Sequence, residues 1–205
     1  MNKQLVLFFC LFFLGCIFSP YLAQTSRTFG AGLKLGSTFC QIDGDDSFGF
    51  NRFGVTAGIY GTAKLNKLMN LGIEFLYSQR GSRSSSKEDV LVGIKLNYLE
   101  IPVLLQVNDW MIETDRGSYH RIRFEGGLSL GRLLSASTLN NLEDRFSKND
   151  ISWILGSQYF WHKNWSISGR YTSSWTPIYK FTDPSGNPKK LKSYFLSLGL
   201  QFHFN

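Results

Sequence analysis

Tyr194-Phe-Leu-Ser-Leu-Gly-Leu-Gln-Phe-His-Phe-Asn205 alternates Tyr194, Leu196, Leu198, Leu200, Phe202 and Phe204 against Phe195, Ser197, Gly199, Gln201 and His203. Successive residues of a strand point to opposite faces, so one face of this segment is wholly apolar. A soluble fold must cover such a face with a second layer, whereas a strand of a membrane barrel can leave it against lipid. The segment reads as the closing strand of an outer-membrane barrel, with aromatics at the level of the interfacial girdle.

The other end of the chain agrees. A basic start at Lys3 precedes the apolar run Leu5-Val-Leu-Phe-Phe-Cys-Leu-Phe-Phe-Leu-Gly-Cys-Ile-Phe18, followed by Ser19-Pro20 and Leu22-Ala23-Gln24. The run is shorter than the roughly 20 residues a helix needs to cross a bilayer, and Pro20 ends it. Residues 1–23 are therefore expected to be a secretory signal peptide, cleaved after Ala23, with 24–205 as one barrel domain. Phe13-Leu-Gly-Cys16 approaches a lipobox, which would make Cys16 a lipidated first residue. The alternative, that Cys10 and Cys16 leave with the leader, suits the bulky Phe13 and the absence of a polar tether.

Cys40 is then the only mature cysteine, which excludes an internal disulfide and a site built on paired thiolates. Without Lys3 the 22 basic residues fall to 21, against 15 acidic, a formal charge of +6. There is no run of five like charges and no basic helix, so nucleic acid is not an expected partner. Lys and Arg scattered at strand ends suit anionic lipid head groups instead. The 20 glycines and the 18 Phe, 9 Tyr and 5 Trp, in a chain with few helical stretches, point to an all-β class.

Alternation bounded by polar, Gly, Pro or Asn clusters predicts eight strands, near 28–40, 52–65, 70–80, 94–107, 121–134, 150–161, 164–176 and 192–204. Links 41–51, 81–93, 135–149 and 177–191 are long and polar, while 66–69 and 162–163 are tight turns. Long links on one side and short turns on the other mark an eight-stranded antiparallel transmembrane barrel with its short turns and both termini in the periplasm. Link 108–120 is long on the periplasmic side and is expected to be a hairpin extending below the membrane.

With the apolar phase outward, Lys34, Lys64, Glu74, Glu100, Arg123, Glu125 and Arg170 fall in the lumen phase together with many Gly, Ser and Thr. An eight-stranded interior is just wide enough to be filled by side chains. Charges of both signs there should pair, since an unpaired buried charge is costly. Glu100 is expected to find its partner among Lys34, Lys64, Arg123 and Arg170. Two other arrangements compete: a soluble lipocalin-like barrel with the apolar phase inward around a ligand, and a small solute channel.

Tyr98-Leu-Glu-Ile-Pro-Val-Leu-Leu-Gln106 resembles the signature strand of the PorT-like outer-membrane β-barrel family of porin-like proteins. Tyr98, Leu99, Glu100, Ile101 and Pro102 carry the likeness. Gly30-Ala-Gly-Leu-Lys-Leu-Gly36, Gly72-Ile-Glu-Phe-Leu-Tyr-Ser-Gln-Arg-Gly81 and Phe124-Glu-Gly-Gly-Leu-Ser-Leu-Gly131 extend it over the mature chain. The resemblance implies an outer-membrane barrel inserted by the barrel-assembly machinery. It implies that Gly199, Phe202 and Phe204 form the insertion signal, although Asn205 stands where such signals end in an aromatic. It also implies an accessory role in type IX protein secretion, with secretion-system proteins as partners beside outer-membrane lipids. Pro102 lacks a ladder donor and is expected at a bulge in the fourth strand.

No catalytic constellation is expected. His120 and His162 fall in periplasmic links and His203 at the periplasmic end of the last strand, away from any outer active site. Asp43, Asp45 and Asp46 lack the glycine and distal glutamate of a calcium loop. Neither a metal nor a cofactor is expected. The mature chain should fractionate with the outer membrane and migrate differently in gels before and after heating; recovery from the periplasm without detergent would reverse the assignment of the two faces.

Overall fold

The computed structural model describes residues 28–43, 52–82, 94–114, 117–137, 146–177, 179–182 and 188–204. The leader with Cys10 and Cys16, Asp45 and Asp46, and most of the long outer links lie outside them. Nine strands follow in order: β1 (Phe29–Asp43), β2 (Arg52–Lys64), β3 (Met69–Ser82), β4 (Ile94–Thr114), β5 (Gly117–Ser137), β6 (Asn149–His162), β7 (Trp165–Ser174), β8 (Tyr179–Thr182) and β9 (Pro188–Phe204). No helix occurs among the described residues.

Each strand from β1 to β7 pairs antiparallel with the next, β7 pairs with β9, and β9 returns to β1 from Ala31↔Phe204 to Asp43↔Lys192. The ring of eight is closed. β8 stands outside it as the partner of the first residues of β9, from Tyr179↔Leu191 to Thr182↔Pro188. A hairpin therefore occupies much of 177–191, where the alternation predicts only a loop; four residues are too short a run to show a period.

The apolar phase faces outward. Leu33, Leu35, Ile59, Ile73, Phe75, Val103, Leu105, Leu128, Leu155, Ile167, Leu198 and Leu200 are all exposed, whereas Lys34, Glu74, Glu100, Glu125, Arg170 and Gln201 are buried. A lipocalin-like barrel requires the inverse, so that alternative is overturned. Aromatics ring both ends of the apolar band. Trp165 and Phe202 pack at 4.8 Å and Phe202 and Phe204 at 5.7 Å on the side of the tight turns, with Phe39 and Phe53 at 5.5 Å and Trp153 and Tyr171 at 5.3 Å on the opposite side. Such girdles mark the two membrane interfaces.

Pro102 does not sit at a bulge. It is buried in the lumen phase and pairs with Ser129 in register, while the β3–β4 ladder omits the pairs opposite Ile101 and Pro102 and resumes unshifted at Leu76↔Glu100. The missing N–H opens a gap in one ladder without moving the strand. The irregularity of the β4–β5 pair lies instead where Asn97↔Ser135 is followed by Tyr98↔Leu133, which leaves Leu134 of β5 as the extra residue.

Beyond the membrane, β4 and β5 continue as a two-stranded ribbon. β6 leaves β5 at Ile122↔Tyr159, and β3 leaves β4 at Met69↔Val107, yet β4 and β5 stay paired to Thr114↔Gly117. This is the hairpin expected for link 108–120. Trp110 starts it with a φ of 52°, a left-handed value uncommon for a bulky residue, while its N–H donates to Asp109 Oδ1 at 2.7 Å.

Leu198 lies midway between Tyr194 and Phe202 on β9 and is 53% exposed. Leu198→Arg is expected to lower the unfolding free energy by about 2–4 kcal/mol, read as a shift of the urea midpoint in liposomes. A cost near zero would place this residue away from the hydrocarbon.

Candidate functional site

Side chains from seven of the eight barrel strands meet in the lumen and form two ionic layers. In the layer nearer the long links, Arg80 of β3 reaches Glu100 of β4 at 2.9 Å and Asp150 of β6 at 2.6 Å. Its guanidinium lies between the rings of Tyr98 and Phe195, 4.8 and 4.5 Å from their centroids. Asp150 also accepts from Ser152 at 2.8 Å, Ser174 at 3.0 Å and Thr176 at 3.1 Å. The carboxylate is thereby supplied with donors on both oxygens, as a buried charge requires.

The central layer is organised by Arg170 of β7. Its two terminal nitrogens bind Glu74 of β3 in bidentate fashion, each at 2.6 Å, and its Nε donates to Glu125 of β5. Lys34 of β1 adds a contact to Glu74 at 3.6 Å, and Gln158 Nε2 donates to Glu125 at 2.8 Å. The planar guanidinium fork suits this role, because it can serve two carboxylates in one plane. Space for it comes from glycine: a Cβ at Gly156 would stand 2.7 Å from Arg170 Cγ and 3.2 Å from Glu125 Oε1, and one at Gly199 would stand 3.1 Å from Lys34 Cε. The cavity left beside these layers, lined by Lys34, Glu100, Pro102 and Arg170 among others, is about 20 Å³. That is room for about one water.

At the periplasmic end the character changes. Arg123, half-buried, donates to Asn108 Oδ1 at 2.7 Å and approaches Gln158 Oε1 at 3.5 Å, with its Cζ 4.9 Å from the Phe160 ring centroid. It forms no ion pair among the described residues. His203 is held between Tyr60 Oη at 2.5 Å and Ser166 Oγ at 2.8 Å. The chain of Ser166, His203 and Tyr60 has hydrogen-bond spacings a nucleophilic relay would use. Ser166 is 0% exposed, so no substrate can reach its hydroxyl. His162 is exposed at the end of β6, and His120 lies on the ribbon.

The lumen phase therefore brings together Lys34, Glu74, Glu100, Glu125 and Arg170 as buried charges, but in two separate layers. Two expectations are corrected. Lys64 is exposed at the rim, where β2 leaves the membrane, and belongs to neither layer. The partner of Glu100 is Arg80, outside the four cations proposed for it. Arg80 and Asp150 are the last residue of the predicted strand 70–80 and the first of 150–161, and the expected lumen set omits both. Their phase was the available signal: Arg80 continues Gly72, Glu74, Leu76 and Ser78, and Asp150 opens the series Ser152, Ile154, Gly156 and Gln158. Tyr98, Leu99, Glu100, Ile101 and Pro102 form an ordinary alternating stretch of β4, with Tyr98, Glu100 and Pro102 inward. Gly199 faces the lumen, Phe202 is half-buried and Phe204 exposed. Cys40 is buried and free, its Sγ 3.8 Å from Gln79 O. No group of three or more His, Cys, Asp or Glu is placed to hold a metal ion among the described residues.

Arg80→Leu strands two buried carboxylates and is expected to cost about 3–5 kcal/mol of unfolding free energy. Glu100→Gln, which keeps an acceptor for the guanidinium, should cost about 1.5–3 kcal/mol, the range of a hydrogen bond to a charged group. Denaturant midpoints in detergent micelles check both; equal tolerance of the two changes would show that the Arg80 layer is hydrated rather than dry.

Among solved structures, the chain is similar to the attachment invasion locus protein Ail of Yersinia pestis. The structure of Ail in complex with the heparin analogue sucrose octasulfate shares 15% identity over 87% of this chain and 100% of that chain, with a TM-score of 0.51. A second structure of Ail shares 16% identity over 85% of this chain and 98% of that one, with a TM-score of 0.50. Neisserial surface protein A aligns at 14% identity over 88% of this chain and 100% of that one, with a TM-score of 0.47. The two Ail comparisons support the barrel fold. No curated protein matches the sequence. The model of the outer membrane protein beta-barrel domain matches residues 8–204, nearly the whole sequence, and the chain belongs to that family.

Proposed function

We propose that this protein is a non-enzymatic, non-conducting outer-membrane barrel that acts through its two ends, as an accessory of protein export. The observation that carries the reading is the closed section formed by Arg170 with Glu74 and Glu125 and by Arg80 with Glu100 and Asp150, beside a residual cavity of about 20 Å³. A channel needs a continuous aqueous path, and charges already paired across the lumen do not offer one. The absence of an accessible nucleophile beside His203 argues in the same direction. The export role rests on the resemblance of the 98–106 strand to the PorT-like family, with recognition assigned to the loops that the rigid barrel carries. On this reading residues 1–23 are a cleaved leader, the partners are outer-membrane lipids, secretion-system proteins and, during insertion, the barrel-assembly machinery, and Gly199, Phe202 and Phe204 are read by that machinery.

Purified protein in planar bilayers should show no steady conductance; a large, stable channel would overturn the closed-lumen reading. Deletion of the chain should leave surface-exported proteins in the periplasm, and unchanged export would remove the accessory role while leaving the closed barrel intact.

A further inference from the structure

The periplasmic mouth of the barrel opens into a cavity of about 350 Å³. Lys64 from the end of β2, Lys67 from the β2–β3 turn, Lys163 from the β6–β7 turn and Arg123 from β5 line it, and no Asp or Glu among the described residues does. None of these four cations makes an ion pair among the described residues, whereas Lys34, Arg80 and Arg170 deeper in the lumen all do. The contrast has a local cause. Both oxygens of Glu125, the nearest carboxylate on the strand of Arg123, are taken by Arg170 and by Gln158, and Gln158 turns only its amide oxygen toward Arg123. The Arg123 guanidinium is thus half-buried at the base of the mouth with neutral partners, an arrangement that leaves its charge uncompensated.

The ribbon supplies the remaining wall. Ser118, Tyr119 and His120 border the same cavity, so the extension of β4 and β5 deepens what would otherwise be a flat barrel end. His120 adds no repulsion, since burial and then the Arg123 and Lys64 charges hold its imidazole below the usual value. Asn70, Asn108 and Tyr60 add neutral donors.

We infer that this mouth is an anion-binding site for a compact phosphate-bearing group, seated on Arg123 and clasped by Lys64, Lys67 and Lys163. A single carboxylate would offset only one of four positive charges, whereas a phosphate monoester carries about −1.5 to −2 and accepts hydrogen bonds on three oxygens. One planar fork among point-charge ammonium groups matches such an acceptor. The phosphate monoester can belong to a lipid head group of the inner leaflet that ends in one, as in phosphatidic acid, at the level the rim shares with Trp165 and Phe204, or to a soluble periplasmic compound. The inference stands on the mouth alone and does not depend on the export role.

Titration calorimetry of the full mature protein in dodecyl maltoside, a phosphate-free detergent, with inorganic pyrophosphate at low ionic strength tests it. One site per barrel is expected, weakened about tenfold by Arg123→Gln and severalfold by Lys64→Gln combined with Lys163→Gln, with heat-modifiable migration retained. Lys95→Gln, an exposed lysine at the opposite end of β4, should change nothing. The double variant decides if Arg123→Gln fails to fold, because its two lysines lie at exposed rim positions. Reconstitution in phosphatidylcholine vesicles with and without phosphatidic acid, whose head group is a phosphate monoester, separates the sources. Loss of pyrophosphate uptake only with phosphatidic acid assigns the mouth to head groups, and equal uptake in both assigns it to a soluble phosphate. No pyrophosphate binding in detergent, or binding that Lys95→Gln weakens as much as the mouth variants, overturns the site.

Discussion

Hydrocarbon offers no hydrogen bonds, so every backbone N–H and C=O inside the membrane must be satisfied by another strand. In this chain that demand is met by the antiparallel ladder joining residues 31–43 of β1 to 192–204 of β9. Once the ring closes, each strand has one face in lipid and the other in a space of fixed width. The apolar phase takes the lipid, which sends the Lys, Arg, Glu, Ser and Thr of the opposite phase at membrane height into the same narrow core. The ionic layers follow from closure rather than from any attraction that could have driven it.

Those layers meet the cost of removing charge from water by saturation. Glu74 receives a bidentate guanidinium and a lysine, and Asp150 receives Arg80 and three hydroxyls. A buried pair adds little net stability over an apolar core of the same shape, but losing one partner leaves the other stranded. Pairing across strands also opposes register slips, because moving one strand by a single residue turns its charges into lipid. Gly156 and Gly199 belong to this logic: their missing side chains are the volume that Arg170 and Lys34 occupy.

The two ends differ for a related reason. Near the long links, carboxylates and hydroxyls suffice to compensate Arg80. At the periplasmic end the balance shifts: Arg123 and three lysines at strand ends and turns line the cavity, no described acid does, and Glu125 on the strand of Arg123 is already engaged. The ribbon formed by β4 and β5 then turns a surplus of charge into a walled cavity.

The barrel was legible in the sequence because its determinants are local. Alternation in 194–204, the lengths of the links and the aromatics at strand ends each depend on a few neighbouring residues, and the two-residue period carries the in-and-out assignment directly. That period named Lys34, Glu74, Glu100, Glu125 and Arg170 as lumen residues. It could not say which acid meets which base, since Arg80 and Glu100 are 20 residues apart and Arg80 and Asp150 are 70 apart. Their meeting depends on strand tilt and on the stagger between neighbouring strands, which no single strand records. Lys64 shares the phase of its strand yet lies past the membrane, because phase assigns a face and says nothing about height. Pro102 removes a donor, as its chemistry requires, but whether the gap becomes a bulge depends on the neighbouring ladder, which here holds its register. Local alternation specifies the barrel and most of its inner charges. The partners of those charges, the closed section they form across the lumen and the cationic mouth arise only in the assembled ring, because they depend on distances between strands that are far apart in the chain.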